Sequence, residues 1–383
     1  MHISNQKQRV ALGLSGGVDS AVAAALLQQQ GYDVTAVYIE CWHEPGCRAE
    51  QDRKDALSVA LQLGLPFQVL DFKAAYNERV MRYFLDEYAA GHTPNPDVLC
   101  NREIKFGLFY DWALAQRFDA IATGHYAKID SAVVGNQTIE HALLTPADQH
   151  KDQTYFLHRV RSEQLPHILF PLGQLQKQAV REMAHTLQLP VADKKDSVGI
   201  CFVGDINVRA FLHERLGEKP GAIVDKNGLQ VGTHRGLWFY TVGQRHGFSI
   251  DTQAAKKSAL HIDPNNPQPL YVIAKRAASN ELVVGVEEDT KTTEFTLTDM
   301  HLTVADLDLA ALEKLERLHV RVRHTGELLT CSVKKTGDAQ LHVITQKPVF
   351  AIAAGQSGVL YLAGSSDEGE NPTMVCLGGG VFE

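Results

Sequence analysis

The stretch Val10-Ala11-Leu12-Gly13-Leu14-Ser15-Gly16-Gly17-Val18-Asp19-Ser20-Ala21 decides the fold of this 383-residue chain. Val10–Leu14 is a short apolar run of the kind that forms a buried parallel strand, and Ala21–Leu27 reads as a helix. Ser15–Ser20 therefore joins a strand end to a helix N-terminus. There, free backbone N–H groups and the positive end of the helix dipole favour an anion. Gly16 and Gly17 let backbone approach phosphate oxygens closely, and Ser15 and Ser20 add hydroxyl donors. Asp19 would repel phosphates unless a cation lies between them, which points to Mg2+ bridging Asp19 and a nucleotide. No Lys-Ser or Lys-Thr follows the glycines, and no Gly-x-Gly-x-x-Gly occurs here. The loop is thus neither the phosphate loop of kinases and GTPases nor a dinucleotide fingerprint.

Outward from the loop, strand and helix alternate. Val34–Ile39, Phe67–Asp71 and Ala120–Thr123 are further short apolar strands, with helices expected over 19–30, 50–63, 74–90 and 98–116. This βαβα order predicts an α/β domain whose parallel sheet is covered on both faces, with ligands at the carboxyl ends of the strands. Residues 150 to about 195 read as mainly helical. Glycines become dense over 217–250, as expected of a small turn-rich β module. From Leu270 onward, six short strands (Leu270–Ala274, Leu282–Val286, Leu318–Arg323, Leu328–Val333, Leu341–Ile344, Gly358–Leu362) suggest a barrel or sandwich, and Gly364–Asn371 a polar loop.

A hydrophobic fraction of 44% and a charged fraction of 21% describe an ordinary globular protein. No stretch reads as a signal peptide or a membrane span, and six cysteines are too sparse for a secreted disulfide scaffold. A cytoplasmic location is the expectation. With 37 basic against 45 acidic residues the net charge is −8, so a nucleic-acid partner requires a local basic surface. The alternation Arg317-Leu318-His319-Val320-Arg321-Val322-Arg323 offers one. It sets Arg317, His319, Arg321 and Arg323 on one strand face, suited equally to phosphates or to plain solvent.

Two segments carry thiols in informative settings. In His92-Thr93-Pro94-Asn95-Pro96-Asp97-Val98-Leu99-Cys100-Asn101, paired prolines stiffen a turn, and Asp97 reads as the N-cap of a helix bearing Cys100 in its first turn. The helix dipole would lower the Cys100 pKa and Asp97 would raise it, so the spacing leaves the net direction open. Cys201, between Ile200 and Phe202, reads as half-buried: either a structural thiol or a redox partner of Cys100. Cys41, His43 and Cys47 offer three potential zinc ligands in no common four-ligand spacing, and Cys331 and Cys376 read as core.

The loop resembles the PP-loop of ATP pyrophosphatases. Further motifs follow in order: Asn95–Asn101, Ala122-Thr123-Gly124-His125-Tyr126-Ala127, Lys151-Asp152-Gln153-Thr154-Tyr155-Phe156-Leu157, Gly199-Ile200-Cys201-Phe202 and Thr241–Gly247. Together they closely resemble the tRNA-specific 2-thiouridylases over essentially the whole chain. The resemblance implies a PP-loop (adenine nucleotide alpha hydrolase-like) catalytic domain with a helical tRNA-contacting extension over 1–205, a β-rich module over 206–275 and a C-terminal β-barrel over 276–383. It implies ATP-dependent adenylation of the C2 oxygen of the wobble uridine, position 34. Sulfur from a cysteine persulfide then replaces that oxygen, giving 2-thiouridine, AMP and pyrophosphate.

By the same resemblance, Gly13, Leu14, Ser15, Gly16, Gly17, Val18, Asp19 and Ser20 would bind ATP, with Ile39 and Gly124 lining its base and ribose. Asn95, Pro96 and Asp97 would hold the flipped uracil, with Asp97 as general acid or base. Cys201 would receive sulfur from a donor protein (a cysteine desulfurase or a relay protein). Attack by Cys100 on the persulfide would leave a Cys100–Cys201 disulfide. His125, Lys151, Asp152, Gln153, Arg323, His324 and Gln356 would contact the tRNA anticodon stem-loop. Val198 departs from the threonine of the family pattern but removes no thiol.

Overall fold

The computed structural model of the protein describes residues 7–43, 47–196, 199, 201–204, 207–256, 258, 260, 268–364 and 373–383. Val198 and Ile200 of the second cysteine motif, and the expected polar loop beyond Gly364, lie outside the described residues.

β1 (Arg9–Gly13) is the centre of a five-stranded sheet. On one side lie β2 (Asp33–Glu40) and β3 (Phe67–Asp71), and on the other β4 (Ala120–Ala122). β5 (Lys128–Val134) and β6 (Gln137–Leu144) form a hairpin that leaves this sheet, and β7 (Ile168–Leu169) returns to its far edge beside β4. The order is β3-β2-β1-β4-β7, with every pair parallel. The chain crosses to opposite sides of β1, so a crevice opens at the carboxyl ends of β1 and β4, where such sheets bind ligands.

α1 (Val18–Gln29) contains an alanine-rich run, and Val18, Ala21–Ala25 and Leu27 are all buried; a helix apolar nearly all round is sandwiched rather than exposed. Each large apolar side chain buried this way contributes about 1.5–3 kcal/mol. α2 (Ala49–Leu63) matches the second expected helix. The third and fourth are not plain α-helices. Each passes through a π-helical stretch, Asn77–Met81 in one and Asn101–Leu108 in the other. The segment expected to be mainly helical from 150 to 195 also contains β7, too short for any periodicity to announce.

β8 (Gly221–Val224), β9 (Gln230–His234), β10 (Tyr271–Arg276) and β11 (Glu281–Gly285) form a four-stranded sheet in the order β10-β11-β8-β9. Two of the six late strands expected from sequence thus pair here and not in the barrel. The barrel gains two others in their place. β12 (Lys291–Leu302), β13 (Leu318–Arg321), β14 (Leu329–Gly337), β15 (Gln340–Phe350), β16 (Ser357–Ala363) and β17 (Met374–Phe382) pair antiparallel in the order β12-β15-β14-β13-β16-β17, and β12 closes the circle by pairing with β17. The β5–β6 hairpin joins the barrel strand β17 through Leu144 and Val375, which ties the barrel to the parallel-sheet region. Cys331 and Cys376 are buried in β14 and β17. Among the described residues no helix is long and apolar enough to cross a membrane.

Candidate active site

Ser15 and Ser20 draw the loop closed. The Ser15 N–H donates to Ser20 Oγ (3.1 Å), the two hydroxyls meet at 3.1 Å, and Ser20 Oγ donates to the Gly17 carbonyl (3.1 Å). Gly17 caps α1 with no side-chain acceptor, so the first N–H groups of the helix stay available to an anion. Gly16 has φ +75°, and a Cβ there would lie 2.2 Å from the Asp52 carbonyl oxygen of α2. Lys194 fixes the same point from outside, donating to the Gly16 carbonyl (2.8 Å) and to Asp52 (2.8 Å) and Asp55.

Gly124, just past β4, seals the other side of the loop. A Cβ at Gly124 would stand 2.7 Å from the Ser20 nitrogen. Gly124→Ala should therefore push the loop off its phosphate geometry. ATP–pyrophosphate exchange should fall on the order of 100-fold while the melting temperature changes little; wild-type exchange in this variant would contradict the placement. Ile39 is buried near the carboxyl end of β2, where it pairs with Leu70 of β3, two residues past the end of the pairing with β1.

Asp19 accepts from the Tyr126 hydroxyl (3.0 Å) and the Lys177 ammonium (2.7 Å). Lys177 also reaches Asp196 (2.8 Å), which Lys151 and Arg181 contact as well. Burial alone would raise the Asp196 pKa, but hydrogen bonds from Lys151 and Lys177 hold it well below the usual carboxylate range. Among the described residues no group of three His, Cys, Asp or Glu side chains could hold a metal. Asp19 offers a single carboxylate, which suits Mg2+ only where phosphates and water supply its other oxygens.

The two thiols converge. Cys100 Sγ lies 3.5 Å from Cys201 Sγ, across 101 residues of chain. The N-cap of the first cysteine helix is Asn95, not Asp97: its side chain accepts from the N–H groups of Asp97 (3.2 Å) and Val98 (3.3 Å), with Pro96 as the first helical residue. Freed from capping, Asp97 accepts the Cys201 backbone N–H (2.8 Å), while the Tyr76 hydroxyl donates to the Cys201 carbonyl (2.7 Å).

The direction left open for Cys100 is upward. The thiol is fully buried and donates to the Cys201 sulfur, and both raise its pKa. Cys201 moves the other way, to about 7; the Cys100 hydrogen bond outweighs burial, and the Lys105 ammonium adds to it. Burial raises the Asp97 pKa, which favours a carboxyl able to exchange protons.

Asn95, Pro96 and Asp97 are half-exposed beside the sulfurs, with the barrel bracing the segment before them. Gln356 donates to the Thr93 carbonyl (3.1 Å), the Thr93 N–H to the Ala354 carbonyl (2.8 Å), and Lys275 of β10 reaches the His92 carbonyl (3.3 Å). Gln153 accepts the Tyr126 N–H (2.9 Å). Arg323 is exposed and donates to the Phe350 carbonyl at 2.5 Å; His324 lies against Phe156 with ring centroids 4.3 Å apart.

The expected basic strand face is incomplete. Arg321 is buried and pairs with Asp152 at 2.5 Å, and Asp152 is only 2% exposed. His125 is likewise buried, against Thr123 (2.7 Å) and Lys105 (3.4 Å). Lys105, Lys177 and Lys194 were not singled out by the sequence, because their partners come from distant elements.

Three successive family descriptions match the chain: tRNA methyl transferase HUP domain over 8–205, tRNA methyl transferase PRC-barrel domain over 209–286 and aminomethyltransferase beta-barrel domain over 292–382. The loop, the crevice and the three regions thus define a nucleotide-binding α/β protein with two β appendages. The relatives narrow the class. The tRNA-specific 2-thiouridylase MnmA of Thiobacillus denitrificans is 43% identical, covering 98% of this chain and 99% of its own. Those of Neisseria meningitidis Z2491 and Staphylococcus carnosus are 40% and 39% identical, each covering 100% of this chain and 97% and 96% of their own. The chain belongs to the tRNA-specific 2-thiouridylase family.

Proposed function

We propose that this chain adenylates the C2 oxygen of the wobble uridine in tRNA with ATP and replaces that oxygen with sulfur carried on Cys201. The observation that carries the reading is the meeting of the Cys100 and Cys201 sulfurs beside the half-exposed Asn95–Asp97 segment. Oxygen at C2 is a poor leaving group until it becomes part of AMP, and the loop from Gly13 to Ser20, with Gly124 packed against it, suits the ATP that performs this step. Asp19 would hold Mg2+, which supplies charge neutralisation among the phosphates when bound.

The sulfur steps balance without a metal. The Cys201 thiolate attacks the outer sulfur of a donor protein's persulfide, and the donor leaves as its thiolate. The Cys201 persulfide anion then attacks C2, AMP leaves, and C2 is joined to Cys201 through two sulfurs. Attack by the Cys100 sulfur on Cys201 Sγ releases 2-thiouridine and leaves a Cys100–Cys201 disulfide, which a thiol reductant must open before the next turnover. Asp97 is placed to exchange protons with the base. Arg323, His324, Lys151 and Gln356 would meet the anticodon stem-loop, whereas Asp152, Gln153 and His125 would act by holding the segments around them.

The test is mass spectrometry of tRNA nucleosides from cells lacking this protein. The reading predicts loss of 2-thiouridine derivatives, restored by the wild-type chain; unchanged levels would overturn it.

A further inference from the structure

Cys100 passes directly into the π-helical stretch Asn101–Leu108. In π geometry, residues five apart fall on one face, whereas five residues of α-helix would turn the later one about 140° away. The π stretch thus aligns Lys105 with Cys100 and so with the adjoining Cys201 sulfur. Lys105 is half-buried and, among the described residues, forms no ion pair with a carboxylate. The neighbouring Glu103 is taken by Arg79 and Arg102, and Asp97 by the Cys201 N–H.

The groups that contact the ammonium are neutral, and the Asp97 carboxyl acts on it only through space. His125 Nε2 lies at 3.4 Å and the ring of Phe202, the residue after Cys201, at 5.7 Å, and the ammonium lowers the pKa of the Cys201 thiol. An ammonium only donates, so His125 Nε2 accepts and its Nδ1 carries the proton toward Thr123 Oγ1 at 2.7 Å. Burial and Lys105 both hold the imidazole neutral. A half-buried cation without a carboxylate needs another anion to offset its desolvation.

Resting on the sulfur-carrier role of Cys201, we infer that Lys105 is the fixed counter-ion of the Cys201 sulfur, as thiolate and then as persulfide anion, and that His125 is the positioning residue that aims it. Both ionisations release a proton to solvent and change no oxidation state. The other titratable groups facing this sulfur are Cys100 and Asp97 from the same helix, Cys41 after β2, and Tyr76. Burial, the largest influence on each of the last two, raises their pKa and keeps them neutral.

The experiment is the pH profile of iodoacetamide alkylation at Cys201, read by peptide mass spectrometry on the full chain without ATP or tRNA. Wild type should show a midpoint near 7. Lys105→Met should move it up by at least about one pH unit, slowing alkylation about tenfold at pH 6.5. Lys105→Arg should restore most of the rate, and His125→Ala, which keeps the ammonium, should give a smaller shift in the same direction. A Lys105→Met profile superposed on wild type would overturn the inference, as would a shift that Lys105→Arg fails to reverse. Because alkylation needs no tRNA, this outcome is separate from whether the chain thiolates uridine.

Discussion

Cys201→Ser should abolish thiolation of tRNA and the persulfide adduct together, while tRNA-dependent pyrophosphate release continues. A serine oxygen occupies nearly the same volume but cannot accept sulfur from a persulfide, and its hydroxyl does not ionise near neutral pH. The Ser15–Ser20 loop lies on separate elements and is untouched. Cys100→Ser has a different signature. It should also abolish thiolation, yet leave sulfur loading onto Cys201 intact, since the acceptor sulfur and its cationic neighbour remain. Without the second thiol the base stays joined to Cys201 through two sulfurs, so a protein–tRNA adduct released by reductant should accumulate. Liquid chromatography–mass spectrometry of nucleosides and of Cys201 peptides reads all these outcomes. Thiolation by Cys201→Ser at a wild-type rate would remove the relay.

The second large effect is on stability. Asp152→Ala leaves the Arg321 guanidinium buried without its carboxylate, and the Thr154 N–H (2.9 Å) and hydroxyl (2.6 Å) lose their acceptor. Removing one member of a buried pair costs about 3–5 kcal/mol. In a chain this size the melting temperature should drop on the order of 5–10 °C. Combining Asp152→Leu with Arg321→Met should recover much of the loss, because no buried charge then stands alone. Calorimetry of the three proteins separates this bracing role from direct RNA contact. An Asp152→Ala protein that melts like wild type but binds tRNA weakly would show that the carboxylate meets RNA instead.

The parallel sheet was legible because β1 and β2 are short, largely apolar runs separated by a helix, an order that calls for parallel pairing, and the more exposed edge strand β3 continues the same alternation. β12 escaped notice because Thr and Glu interrupt its alternation everywhere except Phe295–Leu297, and its pairing with two barrel neighbours is a property of the closed barrel. In β17 the run Gly378-Gly379-Gly380 reads as a turn, yet those residues lie in a strand packed closely against β12 and β16.

The site divides in the same way. Ser15–Ser20 act through their own backbone, so local sequence suffices. Asp97, Lys177 and Lys194 meet partners 104, 158 and 178 residues away, and Lys105 lies on a helix of unexpected pitch; only the assembled chain brings these together. The alternation that sets Arg321 on one strand face holds as a pattern; the Asp152 carboxylate, brought to it from 169 residues away, covers it and decides its burial.

The two sulfurs stand 3.5 Å apart, and the proposed relay requires them to exchange bonds once per product. The direct measurement is a single turnover with sulfur-loaded protein, ATP and tRNA, quenched with acid and analysed by non-reducing peptide mass spectrometry beside nucleoside quantification. The account predicts one disulfide between the Cys100 and Cys201 peptides for each 2-thiouridine formed. Product formed while both thiols remain free would contradict it.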